Sequence, residues 1–254
     1  MSLALLREVS PRFADAIVAH GGRRPDVDLA IYQHDRYRIS IENAGYEVET
    51  LAGGSDYPDC VFIEDTAVIV GEVAVATRPG AEERRGEVIQ VASRLAELRE
   101  VRTIEAPGTL DGGDVMILGD TVYVGRSLRS NDAGIGQLAD VATAQGMSLV
   151  AVPVSEVLHF KSAVLPVDAD TVVVTPGTVD ETLLDGLRII HEADHERHRF
   201  SALPLADGTL LVTANAPETT GMLADIGLRP APIDVSEIQA ADGGLTCMSI
   251  LIED

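Results

Sequence analysis

Tryptophan is missing from this chain of 254 residues, and aromatic residues of all kinds make up 4%. The core therefore has to be built from aliphatic side chains, and interleaved aromatic and basic residues for stacking on nucleic-acid bases are lacking. Positive charge is scarce as well: 19 Lys and Arg stand against 41 Asp and Glu, a formal net charge of -22. Such a field repels nucleic acid and anionic membrane and suits a cationic ligand, although acidity also serves plain solubility. Two cysteines, Cys60 and Cys247, are too few for a disulfide framework. The start, Met1 to Arg7, lacks the basic n-region and long apolar run of a signal peptide. No apolar stretch approaches the roughly 18 residues of a membrane span. The expected setting is cytoplasmic and reducing, with neither thiol in a disulfide. No phosphate-cradling G-x-x-x-x-G-K-[ST] loop, dinucleotide fingerprint or Cys-x-x-Cys pair occurs, so no cofactor is expected.

What the chain does have is a repeat. Thr66 to Val70, a Gly71-Glu72 turn, Val73 to Thr77, Arg78-Pro79-Gly80 and an amphipathic helix reaching about Glu100 form one unit. Val115 to Leu118, Gly119-Asp120, Thr121 to Val124, Gly125-Arg126 and a helix from Ile135 to Ala144 repeat it. Lys161 to Leu165, Thr171 to Thr175 and a helix near Glu181 to His191 form a third unit. Pro204 onward, Thr209 to Thr213 and a helix from Glu218 to Ile226 form a fourth. The units start about 48 residues apart, within the range of repeat architectures. A fifth closes if Met248 to Ile252 supplies its first strand and Leu3 to Leu6 its second, which also removes exposed repeat edges. The expectation is one domain, residues 1–254, folded as a closed five-bladed α/β ring; an open doubly wound sheet is the alternative. Upstream, Ser10-Pro11 is expected to open a helix, His20 to Pro25 to form a loop, and Asp28 to Ala44 a helix ended by Gly45.

The residues able to do chemistry gather at the entrances of these units. Asp242-Gly-Gly-Leu-Thr-Cys247 delivers a thiol on a Gly-rich turn to the start of an apolar strand. An inert core thiol is the commoner identity of a lone cysteine, and Cys60, inside Cys-Val-Phe-Ile63, fits it better. His159 stands in the same register and can exchange protons at neutral pH. Asp111-Gly-Gly-Asp114 places two carboxylates around a Gly pair; one can orient a histidine, or the segment is a tight turn. Asp59, Glu64 and Asp65 form a carboxylate cluster that calls for a cation such as a guanidinium, or a charged loop. Arg84 and Arg129 can clamp a substrate carboxylate or sit on the surface. His191-Glu-Ala-Asp-His195, with His198 beyond, matches the H-E-x-x-H pattern of zinc peptidases. Its highly charged continuation and the absence of any histidine after His198 speak instead for a solvated helix end.

As a set, these motifs resemble the dimethylarginine dimethylaminohydrolases, of the superfamily that also holds arginine deiminases and amidinotransferases. The resemblance is carried by Asp59-Cys-Val-Phe-Ile-Glu64-Asp65, Thr77-Arg-Pro-Gly80 with Arg84-Arg85, Leu110-Asp-Gly-Gly-Asp-Val115, Val124-Gly125 with Arg129-Ser-Asn131, Leu158-His-Phe-Lys-Ser162 and Leu245-Thr-Cys247. It runs in order from about Asp59 to the C-terminus. It implies a five-bladed α/β propeller of ββαβ repeats without a metal, with Cys247 as nucleophile, His159 as acid and base, and Asp111 as the carboxylate holding His159. It further implies Glu64, Asp65 and Asp242 around the guanidinium, Asp59 and the Ala241 backbone at the α-amino group, and Arg84 and Arg129 at the α-carboxylate. An apolar lid residue is implied at Ile17 or Val18. Phe160 departs from the Leu common in the family. The implied reaction turns methylated arginines into citrulline and an amine. Remaining alternatives are an arginine deiminase, which typically carries an inserted helical domain, or another guanidino-group hydrolase or transferase, and, more remotely, a non-catalytic amino-acid binding protein and a zinc peptidase. A homodimer is compatible with the sequence.

Overall fold

The computed structural model describes residues 2–18 and 23–253. His20 to Gly22 of the expected His20 to Pro25 loop thus lie outside the described residues. In chain order the elements are β1 (Leu3–Arg7), α1 (Val27–Asn43), β2 (Glu47–Leu51), β3 (Ala67–Val70), β4 (Val73–Ala76), α2 (Val88–Leu95) and β5 (Glu100–Thr103). They continue with β6 (Val115–Leu118), β7 (Thr121–Arg126), α3 (Asp132–Ala144), β8 (Ser148–Pro153), β9 (Val164–Pro166), β10 (Thr171–Val174) and β11 (Arg188–His191). The last are β12 (Ala202–Pro204), β13 (Thr209–Thr213), α4 (Pro217–Asp225), β14 (Arg229–Ile233), α5 (Ser236–Gln239) and β15 (Ser249–Ile252).

Among the described residues, five three-stranded sheets share one plan: an antiparallel pair, then a parallel third strand reached through a crossover. The tight turns of the antiparallel pairs follow local chemistry. Gly71 and Gly119 take φ of +56° and +54°, left-handed values that bulkier residues resist. The β9–β10 turn lacks glycine and is tied by the Asp168 carboxylate, which accepts the N–H groups of Asp170 and Thr171 at 3.0 and 2.7 Å. The terminal strands pair as expected: β15 runs antiparallel to β1, with Leu3 opposite Ile252 and Leu5 opposite Ile250, and β2 runs parallel to β1 on the other side.

The chain divides into two compact units, Met1–Ile63 with Glu192–Asp254, and Glu64–His191. The first holds the sheets β15-β1-β2 and β12-β13-β14 around Leu6, Phe13, Tyr37, Ile41, Leu211, Ile238 and Met248. Phe13 and Phe62 meet there edge to face, centroids 5.8 Å apart. In the second, β3-β4-β5 and β6-β7-β8 pack through Val70, Val75, Val122, Val124 and Leu138, and β9-β10-β11 joins through Phe160, Val172 and Leu184. Aliphatic residues dominate both cores, as the lack of aromatics requires.

Three element readings are corrected. Ser10 opens no α-helix: its hydroxyl accepts the Arg12 N–H at 3.1 Å and only a 3-10 turn, Phe13–Asp15, follows. The helix expected to reach Glu100 is a 3-10 turn at Glu82–Glu87 and then α2, with β5 beginning at Glu100. The helix near Glu181 to His191 is a 3-10 turn, Glu181–Leu184, then β11. Gly186 at φ +85° breaks the segment, and β-branched Ile189 and Ile190 favour the strand.

Candidate active site

In the unit Glu64–His191, the segments between strands gather buried charge. Asp111 precedes a 3-10 turn at Gly112–Asp114, and His159 precedes another at Phe160–Ser162. His159 Nε2 lies 2.9 Å from Asp111 Oδ2 and 3.9 Å from Asp65 Oδ1, with all three side chains buried. Burial opposes the imidazolium, but the charge of Asp65, the bond to Asp111 and the charges of Asp114 and Asp111 outweigh it, raising the His159 pKa to about 9. Asp65 moves the other way. Its desolvation is overcome by His159, Arg84 and the Gly113 N–H, which donates to it at 3.0 Å, and it stays ionised with a pKa of about 2. The Gly pair has a steric reason: a Cβ on Gly113 would lie 2.7 Å from His159 Nδ1 and 2.8 Å from Asp65 Oδ1.

Arg84 and Arg129 differ in their surroundings. Arg84 is buried and donates to Asp65 at 2.5 Å and to Glu87 at 2.8 Å. Arg129 Nη1 is buried without a hydrogen-bond partner among the described residues, 3.5 Å from Asp111 Oδ2. Glu64 receives the Lys161 ammonium at 2.5 Å. Glu87 and Lys161 were not singled out from sequence. The i, i+3 spacing of Arg84 and Glu87 was the available signal for the first. Among the described residues, Asp65, Asp111 and His159 have donor atoms all within 4.8 Å of one another, a spacing a metal ion tolerates. Arg84, Gly113 and, on Asp111, the Gly80 N–H at 2.8 Å already occupy the carboxylates.

The other unit carries the thiol. Cys247 lies in a 3-10 turn, Thr246–Met248, directly before β15 and is half-buried. Its sulfur accepts the Gly244 N–H at 3.2 Å, a contact that suits an anionic sulfur. Two residues that sequence reading passed over fix this turn: the Ser201 hydroxyl accepts the Leu245 N–H at 2.9 Å, and the Tyr37 hydroxyl donates to the Leu245 carbonyl at 2.8 Å. Both lie more than 40 residues from Cys247 in sequence, so no local pattern marks them. Asp242 takes φ +59°, a left-handed conformation uncommon for a non-glycine residue and one that tends to mark functional turns. Ala241 is buried and its N–H closes the end of α5 on the Ile238 carbonyl. Asp59 is buried, with its carboxylate accepting the Ile17 N–H at 3.0 Å, and Val18 packs against the core of this unit. Cys60 is fully buried.

The zinc-peptidase pattern dissolves. An H-E-x-x-H site needs one helix to put both histidines on a face, whereas His191 ends β11 and His195 sits in the 3-10 turn Asp194–Glu196. His191 bonds Glu181 at 3.0 Å.

No family model matches the chain. It is 40% identical, over 99% of its length and 97% of the relative's, to N(G),N(G)-dimethylarginine dimethylaminohydrolase of Streptomyces coelicolor. To the protein of that name from Pseudomonas aeruginosa it is 29% identical over 97% of each chain. The solved structure of a mutant of the Pseudomonas aeruginosa protein in complex with citrulline superposes with a TM-score of 0.94, at 28% identity, covering 98% of both chains. The five sheets are thus those of the expected α/β propeller of ββαβ units.

Proposed function

The chain belongs to the dimethylarginine dimethylaminohydrolase family, and on that premise we propose that residues 1–254 act as one catalytic domain hydrolysing Nω-methylated arginines to citrulline and methylamine or dimethylamine. The observation that carries the reading is His159 held at 2.9 Å by buried Asp111. With its pKa raised to about 9, His159 is protonated at neutral pH and can give a proton to a departing amine.

Cys247 attacks the central guanidinium carbon as a thiolate. His159 protonates the leaving amine, the carbon–nitrogen bond breaks and a Cys247 thiouronium remains. His159, now neutral, takes a proton from water; the hydroxide adds to the same carbon, the carbon–sulfur bond breaks to release the thiolate, and the hydroxyl proton passes to solvent as the carbonyl of citrulline forms. Glu64, Asp65 and Asp242 receive the guanidinium, and Asp59 with the Ala241 backbone receives the α-amino group. Arg84 and Arg129 receive the carboxylate. Support for Arg129 is its buried Nη1, without a hydrogen-bond partner among the described residues; Arg84 also fixes Asp65. Val18, at the edge of the apolar core, covers the substrate. A reducing cytoplasm keeps the Cys247 thiol reactive, and no helix among the described residues is long and apolar enough to cross a membrane.

The deciding experiment is incubation with asymmetric dimethylarginine, monomethylarginine and arginine, followed by citrulline measurement. Citrulline from the methylated compounds, lost on Cys247→Ser with an unchanged melting curve, is the expected result. Citrulline from arginine alone moves the assignment to a deiminase, and none from any substrate ends the hydrolase reading.

A further inference from the structure

Asp114 is fully buried and, beyond adding its charge to those that favour the protonated His159, is given no part in the reaction outlined above. Its Oδ2 accepts the hydroxyls of both Ser127 and Ser130 at 2.6 Å, and its Oδ1 accepts the Phe160 N–H at 2.9 Å. A carboxylate has no proton to give, so both serines are compelled to donate to it and to turn their lone pairs elsewhere. Those lone pairs are used. Ser127 Oγ accepts the N–H of Arg129 at 2.9 Å and of Ser130 at 3.2 Å, and Ser130 Oγ accepts the Asp111 N–H at 3.1 Å. One carboxylate thereby reaches three residues of the proposed reaction along separate arms: Arg129 through Ser127, Asp111 through Ser130, and His159 through the backbone of its neighbour Phe160. Gly125 makes room for the hub, since a Cβ there would lie 2.7 Å from both Asp114 Oδ1 and the Phe160 Cβ.

We propose that Asp114 is a positioning residue that sets Arg129, Asp111 and His159 in mutual register through the Ser127 and Ser130 hydroxyls and the Phe160 amide. This rests on the hydrolase reading given above. The hub works through bond polarity as well as packing. Asparagine fills the same volume, but its amide nitrogen is a donor and cannot accept the hydrogen bonds now made to one carboxylate oxygen. Turned with its oxygen to the serines, the amide sets an N–H against the Phe160 N–H; turned the other way, both hydroxyls must accept from it, and Ser127 Oγ, which already accepts two backbone amides, has no lone pair left.

The test compares Asp114→Asn, Ser127→Ala and Ser130→Ala with the wild type in kcat, KM and melting temperature. Asp114→Asn is expected to remain folded, lose about tenfold or more in kcat and raise KM several-fold, since small displacements of catalytic groups are costly. Ser127→Ala, which removes the Arg129 arm and one amide contact to Ser130 but leaves the Ser130 hydroxyl on Asp114, should act mainly on KM; Ser130→Ala, which cuts the Asp111 arm, mainly on kcat. This split separates positioning from general destabilisation, which would lower the amount of active protein without changing KM. Wild-type kinetics in folded Asp114→Asn, or a Ser127→Ala variant that loses kcat at unaltered KM, overturns the proposal while leaving the hydrolase reading intact. If the wild type turns over none of the three arginines, the hydrolase reading fails first. Calorimetric titration with arginine then decides the Arg129 arm: several-fold weaker binding by Asp114→Asn and Ser127→Ala sustains it, and equal affinity, or no binding by the wild type, overturns it.

Discussion

At Gly113 the presence of one carbon atom decides whether a charge pair can form. An added Cβ would stand under 3 Å from both His159 and Asp65, neither of which can retreat from its buried partners. Gly113→Ala should therefore lower kcat by about a hundredfold, as a misplaced catalytic group does. Gly136, in α3 with nothing near its absent Cβ, is the control: Gly136→Ala should stabilise by about 0.5–1 kcal/mol. Steady-state kinetics and denaturant melts of both variants check this. His159 supplies a second prediction. Its pKa in the folded protein, about 9, lies above the ordinary 6.5 because the surrounding carboxylates outweigh burial. A raised pKa contributes stability that is complete below about pH 6.5 and is lost as pH rises through about 9. The stability advantage of the wild type over His159→Gln should hence shrink by up to about 3 kcal/mol between pH 6 and 9.5, read from urea unfolding at each pH. An advantage constant over that range would contradict the charged pair.

At the scale of elements, β15 holds both ends of the chain. Its four residues pair with Leu3 to Leu6 of β1, and Ile250 and Ile252 are buried. Without it, β1 loses its antiparallel partner and exposes a row of unpaired amides and carbonyls. Deleting residues 249–254 is expected to lower the melting temperature by more than about 10 °C or to abolish cooperative unfolding, because each buried Ile contributes on the order of 2 kcal/mol or more. Circular dichroism against temperature is the measurement, and similar midpoints for both chains would refute the role. Cys247 lies directly before this strand, so one stretch of chain serves both stability and, on the proposed function, chemistry.

For the whole molecule, the net charge of -22 is the dominant long-range term. It draws a cationic substrate in and repels polyanions over roughly a Debye length, about 10 Å at 0.1 M salt. For a methylated arginine, kcat/KM is expected to fall several-fold between about 20 and 500 mM NaCl, with most of the change in KM. A flat salt response would remove the charge from the binding account and leave it a solubility device.

The sequence alone determined the repeat and its closure. Gly-Glu and Gly-Asp turns at constant spacing mark β3–β4 and β6–β7, and the apolar segments Leu3 to Leu6 and Met248 to Ile252 match as strand partners, the observed pairing starting at Ser249. Local chemistry suffices there, because turn conformation and apolar patterning are properties of neighbouring residues. The motif residues were legible for the same reason, each segment carrying its own signature. Tertiary structure decided what depends on distant residues. The helix expected near Glu181 to His191 gave way to β11, whose pairing with β10 joined the strand preference of Ile189 and Ile190. Ser201 and Tyr37 brace the Cys247 turn from far along the chain, Glu87 claims one side of Arg84, and Asp114 gathers two serines and an amide from segments up to 46 residues away. Hydrogen bonds to buried carboxylates are made where the fold brings donors together, and no local pattern of residues encodes that convergence.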